Sequence, residues 1–451
     1  MLNKEIVKNR MIATFLIATY LIAIRPAQAQ ISHSKDSSEE RMKWFSDAKL
    51  GIFIHWGIYS VQGVTESWPI FYERMTYEDY MSQLNGFTAA KYNPDAWAKL
   101  FRESGARYSV LTTKHHDGVA LWDTKRNDLS VVRKTPAGRD LIGPYCEALR
   151  KEGLKVGLYF SHLDWHHPDY SHYAYAKWSY DIVEDTARWN RFISFQRGQI
   201  KELADQFKPD LFWFDGDWDY TQEQFKMKET RQLINNWLPN AIINSRIGSY
   251  GDYDTPEGVI PITKPTSNYW ELCLTINDSW GYQGSDKNWK SPNQVIRIFV
   301  DCISMGGNLL LDVGPKEDGT IPQEQVNVLK ELGRWTAKHG EAVYGTRSGI
   351  PKDYFYGPSA LSKDSATLYL YLDSKPIGPV SVKGIKNEIV SARVLGFNNV
   401  QLETKVMMKV KASETPGIAY INLPEKYIDS QVTVIALQLD GPLKLKKPPG
   451  Q

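Results

Sequence analysis

The sequence predicts an α/β protein: a (β/α)8-type, TIM-like barrel followed by a C-terminal antiparallel β-sandwich. Three observations carry this. Through the first three quarters of the chain, short apolar runs alternate with amphipathic stretches, the order of βα units in a parallel sheet. Polar clusters repeatedly follow the apolar runs, which is where a barrel builds its site; the glycine-rich first turn of a nucleotide-binding sheet is missing. After Gly349 the pattern changes to short alternating strands between Gly, Pro, Asn and Asp turns, as in a sandwich. The 451 residues suffice for two or three domains. With 42% hydrophobic and 24% charged residues the chain is not disordered, and 54 Lys and Arg against 52 Asp and Glu leave no broad surface for nucleic acid. Aromatic residues reach 12%, which suits flat, amphipathic ligands such as sugars. Cys146, Cys273 and Cys302 are too few and too scattered for a disulfide framework or a CxxC zinc site.

Residues 1–29 read as a cleavable signal peptide. Lys4, Lys8 and Arg10 form a basic region, Met11–Ile24 is uncharged and mostly apolar, and Ala27-Gln28-Ala29 supplies small residues for cleavage. The run is short for a membrane span, so the expectation is a secreted or periplasmic protein with no span after cleavage. A polar segment, Ser32–Arg41, leads into the barrel, assigned to 30–348. Its apolar runs are Leu50–Ile54, Tyr108–Thr112, Val156–Phe160, Leu211–Phe214, Ala241–Ile243 and Leu309–Val313. Helix-like stretches lie at Asn93–Ser104, Asp140–Glu152, Trp189–Gln206, Gln222–Trp237 and Ser291–Met305. The sandwich, assigned to 349–451, has strands predicted at Thr367–Leu372, Pro379–Val382, Glu388–Val394, Lys405–Val410, Ala419–Leu423 and Gln431–Leu437. It carries little polar chemistry and ends in a basic Pro/Gly tail, Lys444–Gln451.

Seven of the nine histidines (His55, His115, His116, His162, His166, His167 and His172) fall between positions 55 and 172, five of them at or near strand ends. Together they suggest a polar pocket whose imidazoles exchange hydrogen bonds with hydroxyls. A zinc site using the His115-His116 pair with Asp117 or Asp164 is the rival. No HExxH or His-x-His spacing supports it, and neighbours on a strand point to opposite faces. No metal and no cofactor are therefore expected. In Trp213-Phe214-Asp215-Gly216-Asp217 an apolar strand ends in a carboxylate, which is costly unless that group is hydrogen-bonded or functional. Asp215 is the candidate nucleophile; an Asp-x-Asp cation site with Asp217 is the runner-up, although no phosphate loop accompanies it. A glycosidic-bond hydrolase also needs a partner acid. Glu257, in a loop after Asn244-Ser245-Arg246, can reach a leaving oxygen from the solvent side. Glu271, beside Trp270 at an expected strand end, is the alternative. Periodicity does not choose between them.

These motifs, in this order, resemble the α-L-fucosidases of glycoside hydrolase family 29. The matching stretches are Lys49-Leu50-Gly51-Ile52-Phe53-Ile54-His55-Trp56-Gly57, Thr113-Lys114-His115-His116-Asp117-Gly118, Gly157-Leu158-Tyr159-Phe160-Ser161, Trp213-Phe214-Asp215-Gly216, Asn244-Ser245-Arg246, Trp270-Glu271, Ser279-Trp280-Gly281-Tyr282 and Gly307–Pro315. The resemblance implies a retaining exo-glycosidase that removes terminal α-L-fucose from oligosaccharides or polysaccharides by double displacement. Asp215 would be its nucleophile and Glu257 its acid/base, with Glu271 as the alternative. Sugar contacts would fall on His55, His115, His116, Tyr159, Trp213 and Arg246, with Phe53 and Trp280 on the apolar side. Two departures stand out. The family's Glu-Trp pair reads Glu66-Ser67-Trp68 here, which weakens the transfer at Glu66 and Trp68. Ser245 replaces the commoner aspartate between Asn244 and Arg246. Rival readings are an α-L-galactosidase on the same scaffold, a non-catalytic carbohydrate-binding protein, and a metal-dependent hydrolase.

Overall fold

The computed structural model describes residues 35–174, 177–410 and 415–446. The expected signal peptide and the end of the basic tail lie outside the described residues. A curled seven-stranded parallel sheet organises the first part: β1 (Leu50–Ile54), β2 (Tyr108–Lys114), β3 (Lys155–Ser161), β4 (Leu211–Asp215), β5 (Ile242–Ile243), β6 (Glu271–Thr275) and β7 (Asn308–Val313). Their order is β5-β4-β3-β2-β1-β7-β6. The segment 252–258 bonds to both edges. Asp252 N–H donates to Ile243 O at 2.7 Å beside β5, and Cys273 N–H of β6 donates to Pro256 O at 3.1 Å.

Almost every sheet residue is buried, which is why the strands read as continuous apolar runs. Their two faces enter different cores. Phe53, Tyr108, Val110, Tyr159, Leu211, Trp213, Ile242, Cys273 and Leu310 form the inner cluster, whereas Ile52, Ile54, Leu158, Phe212, Phe214, Leu309 and Leu311 face outward. Gly51 makes the inner packing possible, since a Cβ there would stand 2.4 Å from the Tyr108 ring.

Helices cover the outer face, and their caps are visible in the sequence. The Asn93 side chain accepts Ala96 N–H at 3.0 Å and Pro94 opens the helix Pro94–Glu103, which buries Trp97, Ala98 and Phe101. Ser291 and Gln294 form a capping box on Pro292–Ser304. The helices Ile142–Lys151, Thr186–Phe207 and Met227–Trp237 also lie close to their expected positions. Two of the longer helices were not anticipated. One, Lys35–Ala48, begins inside the polar segment; Met42, Phe45 and Ala48 recur every third residue and enter the inner core, where Phe45 packs on Tyr253 with ring centroids 4.4 Å apart. The other, Gln323–His339, buries Trp335.

Two antiparallel sheets follow. The five-stranded one runs Arg347–Ser348, Ser359–Leu361, Thr367–Leu372, Thr433–Leu439, Ile389–Val394; the three-stranded one runs Val380–Lys383, Ile418–Ile421, Thr404–Met407. Along Thr367–Leu372, Leu368, Leu370 and Leu372 share a core with Val380, Val382 and Ile421. Tyr369 and Tyr371 belong instead to the cluster around the parallel sheet. Among the described residues no helix is long and apolar enough to cross a membrane.

Candidate active site

Asp215 is the last residue of β4, paired in register with Ser161 of β3. Gly216 follows at φ +84°, where a Cβ would stand 2.5 Å from Leu163, so the strand turns sharply and leaves the carboxylate facing the sheet's C-terminal end. Asn244 steadies this end of β4: its amide accepts Phe214 N–H at 2.8 Å and donates to Phe214 O at 2.9 Å. The carboxylate accepts hydrogen bonds from Tyr159 OH at 2.7 Å and Arg246 Nη1 at 2.6 Å. Burial alone would raise Asp215, but the Arg246 charge and the Tyr159 and Arg246 hydrogen bonds outweigh it and hold the carboxyl below its ordinary range. Arg246 lies over Trp213, its guanidinium carbon 4.7 Å from a ring centroid.

β2 ends at Lys114, so His115 and His116 lie beyond the strand and the alternation argument does not apply to them. Their rings sit 4.1 Å apart on the same side. A serine hydroxyl meets the Nδ1 of each ring. Ser161 donates to Leu163 O at 2.9 Å and therefore accepts from His116 Nδ1 at 2.7 Å, leaving a lone pair on Nε2. Ser67 accepts Asp117 N–H at 3.1 Å and meets His115 Nδ1 at 2.6 Å. His116 Nε2 lies 3.8 Å from Asp215 Oδ2, beyond a direct hydrogen bond. His55 Nδ1 contacts Asp312 Oδ1 at 2.7 Å across β1 and β7. Burial pushes all three histidines well down, so they are neutral near neutral pH, and pushes Asp312 well up.

Both residues flanking the extra serine line the pocket. Glu66 is buried and accepts Gly281 N–H at 2.6 Å; burial raises its carboxyl to about 7. Trp68 is half-buried and stacks on Trp218 at 5.9 Å. Ser67 points beneath them toward His115, so the insertion becomes a support for the histidine. The cavity is about 380 Å³. Of the anticipated site residues, Phe53, His55, Glu66, Trp68, His115, His116, Trp213, Asp215, Arg246, Glu257 and Trp280 line it. Tyr159 lies fully buried beneath, reaching the pocket through Asp215. Phe71, Trp218 and Cys273 also line it and were not anticipated. Trp218 directly follows the Asp215-Gly216-Asp217 motif, the one available signal.

The two candidate acids occupy different places. Glu257 reaches the cavity from the segment 252–258, its side chain 44% exposed, and receives Arg246 Nη2. One guanidinium therefore bridges Asp215 and Glu257. Glu271 begins β6 instead of ending a strand, so it belongs to the sheet's opposite end and does not line the cavity. Fully buried, it accepts Trp213 Nε1–H at 3.1 Å and the Tyr108 hydroxyl, and burial raises it to about 7. Of the acids weighed for zinc, Asp164 is paired with buried Lys114 at 3.0 Å and Asp117 accepts Tyr80 OH at 2.7 Å. Among the described residues, the group whose spacing suits a cation is His115, His116 and Asp215, with ligand atoms within 4.8 Å of one another. A dication there would share the carboxylate with Arg246, against strong like-charge repulsion.

A family model described as alpha-L-fucosidase matches residues 19–341. Bovine tissue alpha-L-fucosidase is 31% identical over 332 residues, 67% of this chain and 69% of that protein. The alpha-L-fucosidase of Dictyostelium discoideum is 29% identical over 92% of this chain and 95% of its own. Among solved structures, alpha-L-fucosidase isoenzyme 1 from Paenibacillus thiaminolyticus superposes with a TM-score of 0.81 at 35% identity, covering 90% of this chain and all of that one. A family 29 enzyme from Bacteroides thetaiotaomicron, trapped as a covalent intermediate with 2-fluoro-fucosyl fluoride, gives 0.79 at 27% identity over 89% and 96%. With a match across most of its parallel-sheet region and relatives of this similarity, the chain belongs to the α-L-fucosidases of glycoside hydrolase family 29.

Proposed function

We propose that this chain is a retaining exo-α-L-fucosidase that releases terminal α-L-fucose from fucosylated glycans. The observation that carries this is the shared guanidinium: Arg246 binds Asp215 through one nitrogen and Glu257 through the other. A single guanidinium spans the gap, which fits the about 5–5.5 Å carboxyl spacing of retaining enzymes better than the about 6.5–9.5 Å of inverting ones. Asp215, kept ionised, attacks the anomeric carbon while Glu257 gives its proton to the departing oxygen. Glu257 then takes a proton from water, which cleaves the glycosyl–Asp215 ester and returns the carboxylate. His115 and His116 present ring nitrogens to adjacent sugar hydroxyls, and Phe53, Trp213 and Trp280 receive the apolar side of the ring. Glu271 supports Trp213 from below. The reaction uses no metal in this reading, so activity should survive EDTA.

The parallel sheet supports a TIM-like (β/α)8 barrel in which 252–258 is the irregular eighth stave, followed by a β-sandwich from about residue 349. Residues 1–29 are read as the signal peptide of a secreted or periplasmic protein, for which N-terminal sequencing of the mature chain is the test.

Activity is tested on an aryl α-L-fucoside. Asp215→Ala should lower kcat by at least about a thousandfold. Glu257→Ala should be slow and regain turnover with azide, giving a fucosyl azide of retained configuration. Full activity in Asp215→Ala overturns the nucleophile assignment. Azide rescue of Glu271→Ala instead of Glu257→Ala transfers the acid/base role.

A further inference from the structure

Beyond the catalytic pocket lies a second cavity of about 1060 Å³, between the helix Tyr77–Met81 and the loop after β3. Phe71 lines both cavities and is their common wall. An aromatic strip runs across it. Trp218 stacks on Trp68 at 5.9 Å, Trp68 meets Phe71 edge-on at 5.7 Å, and Phe71 stacks on Trp165 at 5.6 Å. Trp218 and the adjoining Tyr72 are 46% and 55% exposed. Large aromatic faces left this open beside a pocket and rimmed by polar groups are costly unless something flat covers them.

We propose that this strip and the second cavity are the aglycone site, which takes a neutral oligosaccharide of at least two sugars beyond the fucose. The proposal rests on the fucosidase reading and deepens it. Stacking faces bind the apolar sides of sugar rings. Arg74, held over Tyr72 with its guanidinium carbon 5.1 Å from the ring centroid, and His166, stacked on Tyr77 at 6.0 Å, supply polar groups beside them. The cavity's charge argues for a neutral occupant. Glu78 and Asp79 line it beside the guanidinium of Arg74, so sulfate esters would meet net negative charge.

The test compares three substrates at low salt: an aryl α-L-fucoside, a fucosylated disaccharide, and a neutral tetrasaccharide with the same terminal linkage, also prepared with a sulfate ester two sugars from the fucose. The wild type should favour the neutral tetrasaccharide over the disaccharide by about tenfold in kcat/KM, mainly through KM. The sulfated form should lose that advantage. The double substitution Arg74→Ala, His166→Ala should abolish the chain-length preference while aryl fucoside turnover stays within about twofold. Equal kcat/KM on disaccharide and tetrasaccharide, a preference for the sulfated chain, or equal losses on all substrates would overturn the proposal. A wild type that cleaves no fucoside at all overturns the catalytic reading itself.

Discussion

At the residue scale, the site works by fixing protons. Asp215 stays ionised because the nearby Arg246 charge and the Tyr159 hydroxyl offset the cost of burial, and the histidines stay neutral because burial opposes their charging. Tyr159→Phe removes one donor to the carboxylate. Its Asp215 should therefore protonate at higher pH, moving the acid limb of the kcat/KM profile upward; an unmoved limb would show that Tyr159 does not tune Asp215. Ser67 illustrates how a local departure is absorbed. The sequence shows a residue splitting Glu66 from Trp68, while the structure turns its hydroxyl to His115 and leaves both neighbours in the pocket.

At the element scale, the ends of each strand divide the labour. The sequence reveals β4 and its terminal Asp215 because strand, carboxylate and turning glycine are contiguous. It does not reveal which end of β6 bears Glu271, because Trp270-Glu271 suits either end of an apolar run. The structure puts Glu271 at the start of β6, buried under Trp213. That position predicts a pH effect on stability. The folded-state carboxyl is raised to about 7, above its unfolded value of about 4.3. Between these values the folded protein binds more protons, so the group's contribution to stability falls as pH rises through the window. Glu66 and Asp117, raised to about 7 and about 6, act in the same direction. Glu271→Gln should flatten the decline by on the order of 1–3 kcal/mol, measured by denaturant unfolding at pH 4.5 and 7.5. An unchanged slope would contradict this.

At the scale of the whole molecule, the C-terminal sheets are more closely bound to the first unit than a loosely attached accessory would be. Tyr369 and Tyr371 face the cluster that contains Trp335, and Trp335 Nε1–H donates to Val432 O at 2.8 Å. Asp429 fastens the junction, receiving Arg334 at 3.0 Å and Lys338 at 2.7 Å with His339 at 3.5 Å. Burial opposes its charge, but these partners hold its carboxyl far below the ordinary range. Its stabilisation is therefore complete above its unfolded value of about 3.9 and is lost as pH falls further toward the folded one. Asp429→Asn should cost about 1–3 kcal/mol at pH 7, and less in strong acid. A chain ending at Gly349 should aggregate, because it exposes the face around Trp335; a soluble, active truncation would refute the role given to this junction.

The sequence by itself determined the alternation of apolar runs and helices, the strand ending in Asp215, the cluster of histidines and the change of texture after Gly349. Those features depend on neighbours a few residues apart. Only the tertiary structure decided which distant groups meet: Tyr159 with Asp215, Arg246 with both Asp215 and Glu257, His55 with Asp312 on the far side of the chain. It also separated Glu257 at the cavity from Glu271 beneath it. The physical reason is that the curled sheet brings strand ends of unrelated sequence position together, and charge and hydrogen bonding act through that space, not along the chain.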